Sequence, residues 1–82
     1  MLSQQKFLTA IKNDLRVRRA EIHEGGVDGQ NETYLEWSAL VRYQRRVQDA
    51  GDDQSKLEIV VKSLEKNHAV GRSQNWRGQA TV

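Results

Sequence analysis

The sequence contains no cysteine and no proline, and its only aromatic residues are one phenylalanine, two tyrosines and two tryptophans. Without cysteine, neither a disulfide nor a thiolate metal site can stabilise the fold. Two histidines are too few for a zinc site unless several carboxylates contribute. The absence of proline removes the strongest helix breaker from the sequence. We therefore expect a fold without covalent or metal cross-links.

Apolar residues are also scarce. They make up 37% of the 82 residues, whereas about 45–50% is usual for globular domains when glycine is counted as well. A chain this short buries only about 60% of the surface that its unfolded form exposes. We expect the missing stability to come from protein partners, either further copies of the chain in a homo-oligomer or other subunits of an assembly.

The chain lacks an excess of one charge and lacks long apolar runs. Thirteen Lys and Arg residues are nearly balanced by eleven Asp and Glu residues, so the formal net charge is +2 and does not indicate a polybasic nucleic-acid arm. No apolar run approaches the roughly 18 residues of a membrane span, and the first residues lack the apolar core of a signal peptide. We predict a soluble protein made in a cytoplasm, without a membrane partner.

Glycines divide the chain into three predicted helices. Glycine is concentrated at 25–29, at 51 and at 71–78, and it favours helix ends and turns. We predict helices over about 3–24, 33–50 and 53–68, with "GGVDGQNE" as a loop. The residues predicted to form the core or an interface are Phe7, Ile11, Tyr34, Trp37, Leu40 and Val41. Tyr34 and Trp37 are expected to dominate the packing.

These elements predict an all-α fold, either a helical hairpin or a small three-helix arrangement with an extended C-terminal arm. The helical domain would span residues 1–68 and the extended tail residues 69–82. At Gly51 the chain either breaks or continues as one long helix, and a break or kink is favoured. Asp52 or Asp53 could cap the new helix, and Ser55 with Glu58 offers a capping box. Thr33 with Glu36 offers another at the start of the second helix.

Two arginine clusters are candidate binding surfaces. Arg16, Arg18 and Arg19, with Lys12, lie near the end of the first helix. They could bind phosphate or carboxylate groups, although cations near a helix C-terminus also oppose its dipole, and we favour that structural role. The second cluster is Arg42, Arg45 and Arg46. It is the better candidate for a charged binding face, and a partner-facing or solvated surface is favoured there over a nucleic-acid site.

The tail residues have too few apolar groups to fold by themselves. Trp76 lies there between Arg72 and Arg77, and tryptophan and arginine are the residues favoured at binding hot spots. Either Trp76 anchors the tail on a partner, or the tail is frayed and Trp76 has no role. We favour the anchor, with Arg72 and Arg77 beside it.

No catalytic or cofactor signature is present in the sequence. His23 and His68 have no serine, cysteine or metal ligand at useful spacing, and "GGVDGQ" lacks the lysine and the strand–turn–helix context of a phosphate-binding loop. We expect a protein that is not an enzyme and that binds neither a cofactor nor a metal.

The stretch "TYLEWSALVRYQRRVQDA", residues 33–50, resembles a pattern in small helical virion or assembly proteins of tailed bacteriophages. The pattern is aromatic-x-x-aromatic-x-x-Leu-Val followed by a spaced Ile or Val, and this chain matches it at Tyr34, Trp37, Leu40, Val41 and Val47. It departs at Arg42, where those proteins commonly have glycine. The resemblance implies a virion component, located in the virion or in the host cytoplasm during assembly, and it carries no site residues over.

The leading hypothesis is a non-enzymatic structural or adaptor protein, packed into a larger assembly such as a phage particle, whose C-terminal arm docks on a neighbouring subunit. One alternative is a small nucleic-acid-binding or regulatory protein that uses an arginine-rich helix face. Another is a phage-encoded inhibitor of a host protein.

Overall fold

The computed structural model describes residues 1–25, 32–67, 70 and 74–82, and side chains at 23–25 and 32–33 are not described. Four α-helices lie within these residues: α1 (Gln4–Gly25), α2 (Glu32–Ala50), α3 (Gln54–Lys66) and the short α4 (Trp76–Ala80). The predicted all-α class is confirmed. Of the predicted loop "GGVDGQNE", Gly25 and Glu32 belong to the two flanking helices and residues 26–31 lie outside the described residues. His68, Arg72 and the side chains of His23 and Thr33 also lie outside what is described. None of the described helices is long and apolar enough to cross a membrane.

Helices α1 and α2 form an antiparallel pair around which the core is built. The Gln4 side chain at the start of α1 donates to Val47 O and Gln48 O near the end of α2. At the opposite end, Arg18 of α1 contacts Glu36 of α2 at 2.6 Å. The predicted Phe7, Ile11 and Leu40 are fully buried in this core.

Helix α2 ends at Ala50 and the chain turns at Gly51, as the glycine predicted. Gly51 has a φ of 59°, a left-handed conformation that L-residues with side chains rarely adopt. Asp53, and not Ser55, caps α3, because its carboxylate accepts hydrogen bonds from Ser55 N and Lys56 N at 3.0 and 3.2 Å. Helix α3 then returns along α2, and the Tyr43 hydroxyl and Ser63 Oγ lie 2.9 Å apart.

The prediction of an extended C-terminal arm is wrong. Trp76 is the largest fully buried side chain, and α4 packs against α1 and α3. The physical reason is that three helices poor in large apolar groups leave space in the core, and burying an indole there is more favourable than exposing it. Local composition could not reveal this, because the apolar surface that receives Trp76 comes from distant parts of the chain.

Polar contacts at both ends of α4 hold it in place. Asn75 caps the helix by accepting from Gly78 N at 3.0 Å, and a Cβ atom at Gly78 would collide with that side chain. After α4, Thr81 forms an isolated antiparallel bridge with Leu2. The Gln54 amide in turn both accepts from Leu2 N at 2.9 Å and donates to Leu2 O at 2.8 Å. The two termini and the start of α3 are thus joined.

Arg77 attaches α4 to α3 through a forked ion pair. Its guanidinium donates to both carboxylate oxygens of Glu58 at 2.8 Å and to Glu65 at 2.9 Å. The hydrogen bonds from Arg77 lower the pKa of the Glu58 carboxyl below its ordinary value of 4.5, and desolvation opposes them. The sequence predicted Arg77 as a partner-binding residue; the structure places it in an intramolecular contact.

This ion pair predicts an acid-sensitive contribution to stability. Because the folded-state pKa of Glu58 is depressed, the contribution is present above pH 4.5 and is lost as the pH falls through the folded-state value. We expect Arg77→Gln to lower the urea midpoint at pH 6 and to lower it by less at pH 3, where more of the Glu58 carboxyl is protonated. The effect will be small and will shrink in high salt, since both side chains are partly exposed. An equal loss at both pH values would contradict the ion-pair explanation.

Candidate functional site

The structure separates the first basic cluster into an internal part and an external part. Arg18 lies on the side of α1 that faces the fold, with its side chain only 11% exposed. Its guanidinium donates to Asp14 at 2.8 Å, to Glu36 at 2.6 Å and to Val70 O at 2.9 Å. Arg18 therefore forms an ion pair with Glu36, and its contacts stabilise the fold by joining α1 to α2 and to the backbone at Val70.

The remaining cations of the cluster border a groove between α1 and α2. The groove is shallow and open, with a volume of about 330 Å³. It is lined by Lys12, Leu15, Arg16 and Arg19 from α1 and by Trp37, Val41 and Gln44 from α2. We call this surface the α1–α2 groove.

Helical spacing explains why these side chains lie together. Lys12, Arg16 and Arg19 are separated by four and then three residues, so they form one stripe along α1. Trp37, Val41 and Gln44 have the same spacing on α2. Because α1 and α2 are antiparallel neighbours, the two stripes face each other across the contact between the helices.

The α1–α2 groove is positively charged. No acidic side chain lines it, and none of its three cations forms an ion pair within the described residues. The nearby acidic residues Asp14 and Glu36 are paired with Arg18. The groove therefore presents a cationic edge beside an apolar strip.

Tyr34 and Trp37, which were predicted to lie in the core or at an interface, are partly exposed in the described fold. Trp37 is only partly buried, and Tyr34 and Val41 are 37% and 36% exposed. The Tyr34 and Trp37 rings lie 6.0 Å apart and are tilted by 37°. The prediction that these two rings dominate the packing is wrong, because Trp76 occupies the centre of the fold instead.

The second arginine cluster does not act as one surface. Arg42 and Arg46 border a different groove, against α3, with Ala39, Tyr43 and Asn67, and Arg46 lies 5.6 Å from the centre of the Tyr43 ring. Arg45 lines neither this groove nor the α1–α2 groove. The three arginines are exposed and form no ion pair within the described residues.

The α1–α2 groove combines cationic, apolar and hydrogen-bonding side chains. Its cations attract anionic groups, its indole and aliphatic groups take apolar side chains, and Gln44 can donate and accept hydrogen bonds. Sequence reasoning named Lys12, Arg16 and Arg19 but did not join them to Trp37 and Val41. The shared four-and-three spacing was the available signal, but the sequence does not show which helices pack against each other.

Comparison with protein-family models, with curated proteins and with solved structures finds no match to this chain.

Proposed function

We propose that this chain is a non-enzymatic adaptor or structural protein that is packed into a larger assembly by binding a protein subunit at the α1–α2 groove. The observation that supports this most directly is the exposed apolar strip of Trp37 and Val41 beside three cations without ion pairs in the described part of the chain. Partly exposed tryptophan next to arginine is typical of protein-binding hot spots. Trp76 is not part of this proposed docking surface, because it is buried in its own fold.

A phage particle is the assembly that we propose to test first. The support is the resemblance of residues 33–50 to small helical virion proteins, and two of the matching residues, Trp37 and Val41, line the groove. In this proposal the protein acts in the virion or in the host cytoplasm during assembly.

Nucleic acid is the second candidate ligand, since three cations lie beside an aromatic ring. Single strands bind such surfaces by stacking bases on exposed rings. In this groove Trp37 is the only ring among the described lining residues, and the other apolar groups, Leu15 and Val41, are aliphatic and cannot stack in this way. The lining therefore favours a protein partner.

The proposal predicts that Val41→Glu removes the chain from its assembly. A carboxylate would place a charge in the apolar strip that the partner covers, and we expect at least a tenfold loss of co-purifying partner, equivalent to about 1.4 kcal/mol. The measurement is quantitative mass spectrometry of complexes isolated through a tagged chain. Circular dichroism checks that the variant is folded.

Ile59→Glu is the matched control, because Ile59 is 59% exposed on α3 and lies outside the α1–α2 groove. The adaptor proposal requires a defined set of partners, at fixed stoichiometry, that the control retains. Equal recovery with Val41→Glu would show that the groove is not the docking surface.

A further inference from the structure

We infer that the α1–α2 groove binds an acidic amphipathic helix of a partner protein. The inference rests on the proposed adaptor function and specifies the chemistry of the partner. Its basis is the shape, the charge and the periodicity of the groove.

The shape fits a helix. The groove lies between two antiparallel helices, where a third helix can place one apolar row against the strip of Leu15, Trp37 and Val41. From Lys12 to Arg19 the cationic edge extends over about 10 Å, or two helical turns. A partner helix of about three to four turns would therefore cover the groove and both ends of its cationic edge.

The charge specifies which helix. Three cations with no acidic neighbour in the described lining repel a basic partner and attract one with a row of carboxylates. Carboxylates at positions i, i+4 and i+7 of the partner would match the spacing of Lys12, Arg16 and Arg19. Arginine forks bind carboxylates in a two-point geometry, which favours Asp or Glu over a diffuse negative charge.

A second copy of this chain does not supply such a helix from its described surface. Glu58 and Glu65 are engaged by Arg77, and Asp14 and Glu36 by Arg18. The exposed acidic residues outside the ion pairs are Glu21, Asp49, Asp52 and Asp53, and three of these lie around the α2–α3 turn instead of along one helix face. The described residues of a second copy thus offer no complementary row of carboxylates, and we infer that another protein supplies it.

The test measures fluorescence anisotropy of a labelled 15-residue peptide with capped ends, added to the full chain. The peptide has leucines on one helix face and glutamates at i, i+4 and i+7 beside them. A second peptide has the same composition in permuted order, so it keeps the charge and loses the amphipathic face. A 15-nucleotide oligothymidylate is the third probe.

We expect a dissociation constant on the order of 10–100 µM for the amphipathic peptide, since the interface is small. The permuted peptide should bind at least about tenfold more weakly. Arg16→Glu with Arg19→Glu should weaken binding of the amphipathic peptide at least about tenfold. The control pair Arg42→Glu with Lys56→Glu makes the same change in net charge away from the groove and should alter binding less than about threefold.

Three outcomes would overturn the inference. Equal binding of both peptides, or equal losses in both double variants, would mean that only net charge matters. Tighter binding of oligothymidylate that is lost in Arg16→Glu with Arg19→Glu would identify a nucleic-acid surface. Self-association in sedimentation that depends on the same two arginines, without peptide binding, would identify a second copy as the occupant.

The same peptide separates this inference from the proposed function. If Val41→Glu abolishes partner recovery but the peptide neither binds nor competes with the partner, the adaptor function stands and the acidic helix is wrong. If the peptide binds but partner recovery does not depend on Val41, the proposed function is wrong.

Discussion

Replacing Trp76 with alanine is expected to remove a large share of the protein's stability. The indole is fully buried, and removing a buried tryptophan leaves a cavity in addition to losing its transfer free energy. We expect the free energy of unfolding to fall by about 3–5 kcal/mol. A domain of this size has only about 4–12 kcal/mol in total, so the substitution removes at least about a quarter of it.

The measurement is urea denaturation followed by circular dichroism, with Trp37→Ala as the matched control. Trp37 is only partly buried at the α1–α2 groove, so the same substitution there should cost less than half as much. Equal losses at the two positions would mean that Trp76 is not the central core residue, and the hypothesis of a C-terminal arm would then be favoured again.

Trp76→Phe isolates one unusual feature of the core. The indole Nε1–H is buried and has no hydrogen-bond acceptor within the described residues. An unsatisfied buried donor costs about 1–3 kcal/mol, so phenylalanine removes that cost while it loses part of the apolar contact. We therefore expect Trp76→Phe to retain most of the stability that Trp76→Ala loses.

Replacing Arg18 with methionine is expected to have the second largest effect. Methionine preserves much of the side-chain volume but leaves Asp14 and Glu36, which are 14% and 22% exposed, without their cation. It also removes the bond to Val70 O, which ties the chain ahead of α4 to α1. We expect a loss of about 2–3 kcal/mol, somewhat less than for fully buried pairs because the two carboxylates keep some solvent contact.

Two variants test this explanation. Arg16→Met changes an exposed arginine of α1 that has no ion pair in the described part of the chain, and it should alter the urea midpoint very little. Adding Glu36→Gln to Arg18→Met should restore part of the loss, because the uncompensated carboxylate is removed. If the double variant is no more stable than Arg18→Met alone, the ion pair is not the source of the effect.

The candidate groove shows how far local pattern can predict a site. The sequence identifies Lys12, Arg16 and Arg19 as a basic cluster and groups Arg18 with them. Proximity in the sequence does not show which face of a helix packs against another helix. Arg18 lies seven residues after Ile11, on the same face, and there it donates to two carboxylates and a backbone carbonyl. The other three cations lie on the adjacent flank and border the groove.

Local structure could be predicted from the sequence alone. Gly51 ends α2, because the left-handed turn there suits a residue without a side chain. The apolar periodicity predicted the all-α class and the burial of Phe7, Ile11 and Leu40. Which tryptophan is buried depends on how the helices pack against one another. Helix formation depends on neighbours a few residues away, whereas burial depends on which distant surfaces remain uncovered. Trp76 fills the space in the core that three helices with few large apolar side chains leave. Trp37 remains at the surface, beside the cations of α1.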